Sequence, residues 1–336
     1  MRAKQVIAGP CNSPTPPIGV PSFSPPPPEG VGHPPSLDDR SSLTTEHRNP
    51  RSIGLDALSV GQAFDLINSE DATVAGAVAA AREDICRAIE LVVEALRDGG
   101  RLIYVGAGTS GRLGVLDATE CPPTFLTDPS MVQGLIAGGA TALTRSIEGA
   151  EDRAEDGAAA MDERSVGPND AVFAIATGGT TPFVHGAIQR AKQRGARTIF
   201  FGCVPKDQVA DEADVSIRVI TGPEVLTGST RMKAGTATKM VLNMVTTIAM
   251  VRLGKVYQNL MVDVNTAANA KLVDRGIRIV QTITGLSRSE SAAILQSAGG
   301  RVKTALVVQA KGVDGATAER LLAERAGQVG RVIERP

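Results

Sequence analysis

The sequence predicts an α/β protein: a three-layer sandwich with a mainly parallel sheet between helices, followed by a small C-terminal helical subdomain. Three observations predict it. From Leu102 onward, short apolar β-prone runs alternate with helical patterns. Two of those runs lead into glycine- and hydroxyl-rich turns that open helices, at Gly106-Ala107-Gly108-Thr109-Ser110-Gly111 and at Thr177-Gly178-Gly179-Thr180-Thr181-Pro182. Beyond Gly285 the chain changes to short helical blocks separated by Gly299-Gly300 and Gly312.

Taken in order, residues 1–42 are rich in Pro, Gly and Ser and include Pro25-Pro26-Pro27-Pro28. Such a composition offers too little apolar surface to offset the entropy of ordering, so a disordered, dispensable tail is expected. A polar lead-in, Thr44 to Pro50, precedes a helical pattern from Leu55 to Asn68. A second pattern runs from Asp71 to Arg97, with Ile85, Ala88, Ile89, Val92 and Leu96 at helical spacing. Gly99-Gly100 stops it, and Leu102-Ile103-Tyr104-Val105 reads as a buried strand. A short helix is expected over Arg112 to Ala118. Met131 to Ala137 reads as a strand, with helices near Ala142 to Ile147 and Asp152 to Met161. Asp170 to Thr177 is a strand, and Pro182, suited to a first helical turn, opens a helix to Arg194. Thr198 to Gly202 and Val215 to Ile220 are further strands, and Met240 to Leu253 is an apolar helix. The division that follows is a tail at 1–42, an α/β domain with N-terminal helices at 43–284 and a helical subdomain at 285–336, with blocks at Glu290 to Ser297, Val302 to Ala310 and Ala316 to Glu324.

Composition narrows the function. The chain has 336 residues, 42% apolar, enough for one large core or two smaller ones. Aromatics are 3% with no Trp and the formal net charge is −1, so neither base-stacking platforms nor a basic nucleic-acid or membrane-surface footprint is expected. Cys11, Cys86, Cys121 and Cys203 form no C-x-x-C, and with His33, His47 and His185 they make no metal-ligand pattern. No metal, no cofactor and a reducing cytoplasm are expected. No run has the length of a membrane span, and the N-terminus lacks the apolar core of a signal peptide.

The glycine turns carry the chemistry. Glycines let a ligand approach the backbone, and a helix start offers unpaired N–H groups and the positive end of a dipole. Gly106, Gly108 and Gly111 fit the dinucleotide pattern G-x-G-x-x-G, and Asp128 stands where its acidic residue would be, but Pro122-Pro123 interrupts the approach to a second strand. Adjacent hydroxyls at Thr109 and Ser110, and a second turn of the same type, suit a phosphomonoester gripped from two sides. A third stretch, Thr227 to Lys239, adds hydroxyls and cations. The expected phosphate pocket therefore comprises Gly108, Thr109, Ser110, Thr177, Gly178, Thr180, Ser229, Thr230 and Lys233, with Arg112 nearby. A tight structural turn, or a solvated helix start at the third stretch, is the plain alternative.

Several blocks in series carry a resemblance. They are TEHRNP at 45–50, INSED at 67–71, LIYVGAGTSGRLGVLDATECPPTF at 102–125, EGAED at 148–152, EVLTGSTRMKAGTATK at 224–239 and NLMVDV at 259–264. Through them the chain, from Thr44 to Ile333, resembles the N-acetylmuramic acid 6-phosphate etherases, proteins of sugar-isomerase-type fold related to glucokinase regulatory protein. The second turn departs from the family by lacking the arginine of Ala-Ser-Gly-Arg-Thr-Pro. The resemblance implies cleavage of the D-lactyl ether at carbon 3 by elimination and water addition, giving N-acetylglucosamine 6-phosphate and D-lactate without metal or nucleotide. It implies Glu120 as the proton donor and Glu151, rather than Glu148, as the base, and a homodimer with its site near the subunit interface. From the residues alone, Glu120 reads as an ordinary helix-end glutamate and Glu151 as a helix-start charge. A non-catalytic sugar-phosphate regulator is the alternative function, and a sugar-phosphate isomerase a weaker third.

Overall fold

The computed structural model describes residues 40–334 except 265, 268 and 269, so all but the last three positions of the expected tail lie outside the described residues. The tail's last positions are built into the fold: the Leu43 N–H bonds the Arg40 carbonyl at 3.0 Å, and Leu43 is buried.

The lead-in is a series of single 3-10 turns, Thr44–Glu46, Pro50–Ser52 and Leu55–Ala57. Helix α1 (Val60–Asp71) begins later than its apolar pattern, because Ser59 and Gln62 form a reciprocal capping box. The long pattern from Asp71 to Arg97 is two helices, α2 (Val74–Ala80) and α3 (Arg82–Arg97), broken at Ala81. All five residues expected at helical spacing on α3 are buried.

Five strands follow: β1 (Leu102–Gly106), β2 (Val132–Ile136), β3 (Ala171–Ile175), β4 (Arg197–Gly202) and β5 (Val215–Arg218). They form one wholly parallel sheet in the order β2-β1-β3-β4-β5. Helices between them are α4 (Gly108–Phe125), α5 (Ala154–Glu163) and α6 (Pro182–Gln193), and α7 (Lys233–Arg252) follows β5. The pleat sends Leu102 and Tyr104 of β1 into a core with α2, α3, α4 and α7, and Ile103 and Val105 into a second core with α5 and α6. The three layers follow from that alternation.

Two expectations are corrected here. The helix expected near Ala142 to Ile147 is a 3-10 turn at Ala140–Leu143 followed by irregular chain, tied down by Arg112. Helices α4 and α7 start earlier than expected, because the glycine-hydroxyl residues belong to their first turns rather than to preceding loops.

The C-terminal part comprises a two-stranded ladder, β6 (Val256–Tyr257) with β7 (Leu260–Met261), and helices α8 (Ala270–Thr284), α9 (Arg288–Ser297), α10 (Val302–Lys311), α11 (Gly315–Glu324) and α12 (Val329–Ile333). Its core joins Val262, Val264, Ile277 and Val280 to Leu295, Val302, Leu306 and Val332. That core therefore starts ahead of Gly285, the boundary the sequence suggests, because the apolar face of α8 packs on α9 and α10. Among the described residues no helix is long and apolar enough to cross a membrane.

Candidate functional site

In the strand order observed, β2 lies on one side of β1 and β3 on the other, so the direction in which strands are added to the parallel sheet reverses between β1 and β3. The crevice at the carboxyl ends of such a strand pair is where open parallel sheets bind ligands. A cavity of about 270 Å³ lies there, lined by Ala107, Gly108, Thr109 and Ser110 from the start of α4, by Ile175, Thr177, Gly178 and Thr181 from the end of β3 and the start of α6, by Gly228 and Thr230, by Arg40 and Glu46, and by Glu151.

Local sequence explains how the first turn reaches it. Gly106 passes so close to the first helical turn that a Cβ would stand 2.7 Å from the Gly111 amide nitrogen. A Cβ on Gly111 would stand 2.6 Å from Ile136 Cγ1 and 2.7 Å from the Gly106 carbonyl oxygen. Gly108 has φ +51, a left-handed conformation that lets the chain turn directly into α4. No side chain caps α4 or α6, so the positive ends of both helix dipoles stand at the crevice without a side-chain acceptor. Tyr104 anchors α4 from below by donating its hydroxyl proton to Asp117 Oδ2 at 3.0 Å, and burial pushes the Asp117 carboxyl above its ordinary value.

The third stretch behaves differently. Glu224 is fully buried and accepts N–H bonds from Lys233 (3.0 Å) and Ala234 (2.9 Å), so the start of α7 is occupied by a protein carboxylate. Burial pushes the Glu224 carboxyl above its ordinary value despite those bonds. Lys233, expected to face the ligand, is turned inward and ion-paired with Glu70 at 2.7 Å. The lysine is corrected from a ligand cation to a structural one, since its charge is already paired in a site sealed from solvent.

Of the other expected pocket residues, Gly108, Thr109, Ser110, Thr177, Gly178 and Thr230 all line the cavity. Thr180 and Ser229 stand next to lining residues without lining it themselves, and Thr180 Oγ1 is buried with no hydrogen-bond partner among the described residues. Thr181, Arg40 and Glu46 line it and were not anticipated. The TEHRNP block is the signal that could have drawn Glu46 in; Arg40 has no local signal.

The two carboxylates are not together in one chain. Glu151 lines both this cavity and an adjoining one of about 190 Å³, which Ala107 and Gly108 also border and which extends to Arg112, Arg145 and Glu148. Gly149, with φ +72, turns the chain so that Glu151 arrives on a single 3-10 turn, Ala150–Asp152. Arg112 fixes the preceding loop by donating to the carbonyls of Ala142 (3.1 Å), Leu143 (3.2 Å) and Arg145 (3.1 Å), rather than facing the crevice as a free cation. Glu120 is exposed on α4. It lies twelve residues past Gly108, about 18 Å along the helix axis, and outside the cavity of its own chain.

Comparison with known proteins identifies the family. The model of the SIS domain matches residues 143–248, and that of the glucokinase regulatory protein N-terminal SIS domain matches residues 84–192. The N-acetylmuramic acid 6-phosphate etherase of Gloeothece citriformis is 55% identical over 88% of this chain and 96% of its own. That of Rippkaea orientalis is 53% identical over 89% of this chain and 97% of its own. That of a Nostoc species is 56% identical over 87% of this chain and 95% of its own. Identity of that level across nearly the whole of both chains means that this protein belongs to the N-acetylmuramic acid 6-phosphate etherase family.

Proposed function

We propose that the chain cleaves the D-lactyl ether of N-acetylmuramic acid 6-phosphate, releasing D-lactate and N-acetylglucosamine 6-phosphate. The observation that carries this reading is the position of Glu151, a carboxylate with no ion-pair partner among the described residues, on the wall of a pocket that hydroxyls and two helix starts also line. The phosphate sits against Thr109, Ser110, Thr177 and the first turns of α4 and α6, where backbone N–H groups and two dipoles favour an anion. The sugar then extends from the phosphate toward Glu151.

The chemistry asked of the residues is proton transfer. In the open-chain sugar the carbon 2 proton is acidified by the neighbouring aldehyde, and Glu151 takes it. The carbon 3–oxygen bond then breaks, and its electron pair leaves with the lactyl oxygen, which is a poor leaving group unless Glu120 protonates it as it departs. Water adds to the resulting double bond, its hydroxyl to carbon 3 and a proton to carbon 2, which restores a saturated sugar. One group must be ionised and the other protonated at the same pH, a division that two carboxyl groups in different surroundings can hold.

Because Glu120 lies outside the pocket of its own chain, the reading includes a homodimer in which a partner's α4 approaches the crevice. Exposed apolar side chains support a covered surface on these helices: Leu116 on α4, and Met244, Ile248 and Val251 on α7. A cytoplasmic location accords with the three described cysteines, Cys86, Cys121 and Cys203, all free thiols.

Incubation with N-acetylmuramic acid 6-phosphate in ¹⁸O-labelled water tests the reaction. Elimination and hydration place the label on carbon 3 of the sugar, whereas attack at the lactyl carbon would place it in lactate. No lactate from pure protein would move the chain to the sugar-phosphate regulator reading.

A further inference from the structure

The phosphate pocket has an electrostatic deficit that its turns do not meet. Two of its lining side chains, Glu46 and Glu151, are carboxylates, and neither has an ion-pair partner among the described residues. A phosphate dianion placed beside them needs a cation. The cations nearest the turns in sequence do not meet it: Lys233 is paired with Glu70, Arg112 is bonded to three loop carbonyls, Lys239 is bonded to Asp117 and Asn243, and Arg231 does not line the cavity. The second turn contributes no arginine or lysine of its own.

Arg40 is the only cationic side chain among the described residues that line the cavity. One of its guanidinium nitrogens lies 3.3 Å from the place a Cβ would take on Gly178, so the head group rests directly on the second phosphate turn. The same turn is flanked by Thr45 Oγ1, which is buried, unpartnered among the described residues and 3.7 Å from that same point. Among the described residues the Arg40 guanidinium has no carboxylate partner, and its backbone is fixed by the bond from Leu43.

The geometry points to Arg40 as the phosphate-binding cation of this pocket, supplied by the segment ahead of the first 3-10 turn rather than by any of the three turns. The planar guanidinium suits bidentate contact with phosphate oxygens. The absence of a side chain at Gly178 is what gives it room. Arg40 then offsets the charge of Glu46 and Glu151 only when it sits at the phosphate end, which orients the sugar with its reacting carbons toward Glu151. This inference rests on the sugar-phosphate reading of the pocket.

Inorganic phosphate is the probe that separates the two. Phosphate should raise the melting temperature of the full chain and inhibit lactate release competitively, and Arg40→Ala should weaken both effects by about 10- to 100-fold in apparent affinity, the range for a charge-assisted hydrogen bond. KM for the 6-phosphate substrate should rise by a similar factor with kcat changed only a few-fold, and Arg40→Lys should recover part of the loss. If the wild-type chain releases no lactate, the melting-temperature arm still tests Arg40. An unchanged phosphate response in Arg40→Ala, or no phosphate response in the wild type, would overturn the assignment. So would an Arg40→Ala variant that loses inhibition by D-lactate while keeping inhibition by phosphate, since the arginine would then serve the lactyl carboxylate.

Discussion

Lys233 Nζ lies 2.7 Å from Glu70 Oε2, with the two side chains 4% and 6% exposed, and so joins the end of α1 to the first residue of α7. Glu70 also accepts from Asn49 Nδ2 at 2.9 Å and pairs with Arg51 at 2.8 Å. Burial alone would raise its carboxyl, but Lys233, Asn49 and Arg51 together hold it below the ordinary value. One carboxylate thus ties the lead-in segment, α1 and the start of α7 together.

Breaking that pair should be costly, because either partner left alone is a buried uncompensated charge. Glu70→Gln is expected to destabilise the protein by about 3–5 kcal/mol, read as a lowered denaturation midpoint. Pairing it with Lys233→Met should restore part of the loss. A double variant as unstable as the sum of the two singles would show that the two residues do not act as a pair.

Glu120→Gln and Glu151→Gln separate the acid from the base. Each keeps shape and hydrogen bonding but cannot move the proton, and each should slow lactate release by at least about 10²-fold. In deuterated water Glu120→Gln should still exchange the carbon 2 proton of the substrate, and Glu151→Gln should not. If a partner supplies Glu120, refolding a mixture of the two variants should restore activity to hybrid dimers carrying one intact pocket. Mixtures no more active than either variant would mean that both residues act within one chain.

Asp170 gives an acid-limb prediction. Burial would raise its carboxyl, but the bidentate Arg101 guanidinium (3.0 and 2.7 Å), the Arg101 amide (2.9 Å) and the Gly167 amide bring it below its ordinary 3.8. A depressed folded-state value stabilises above the unfolded-state value and fades as pH falls through the folded one. Asp170→Asn should therefore cost about 1–3 kcal/mol at neutral pH, a difference from wild type that stays flat down to about pH 4 and shrinks below it. Chemical denaturation across that range measures it, and a difference that changes between pH 6 and 8 would count against this assignment.

Cys121 and Cys203 should be inert. Burial pushes both thiols up to about 12, Cys203 being wholly enclosed and Cys121 lying near Asp117. The thiolate is the reactive form, so at pH 8 only about one molecule in 10⁴ carries it at either position. Iodoacetamide should leave both unmodified in the native protein and label both after denaturation, as peptide mass spectrometry would show. Rapid native labelling of either would mean that its side of the sheet opens readily.

Much of this protein is legible without coordinates because its elements are encoded locally. The β1 run is apolar at every position and emerges buried on both faces; the α3 spacing emerges as a buried stripe; Gly106, Gly108 and Gly111 announce a turn that only residues without a Cβ can make. The family blocks are equally local, being runs of neighbours. Residues whose roles depend on what lies opposite them were not legible. Lys233 reads as a ligand cation in a hydroxyl-rich stretch, yet its partner stands 163 positions away on α1. Arg40 reads as part of the Pro-rich tail at 1–42, yet it rests on Gly178. Glu120 follows a turn it does not face, since a helix of rise 1.5 Å per residue carries it away from its own start. Periodicity and turn chemistry report the conformation of a segment, whereas the pairing of a charge is settled by which distant segment the packed layers bring against it, and that only the tertiary structure decides.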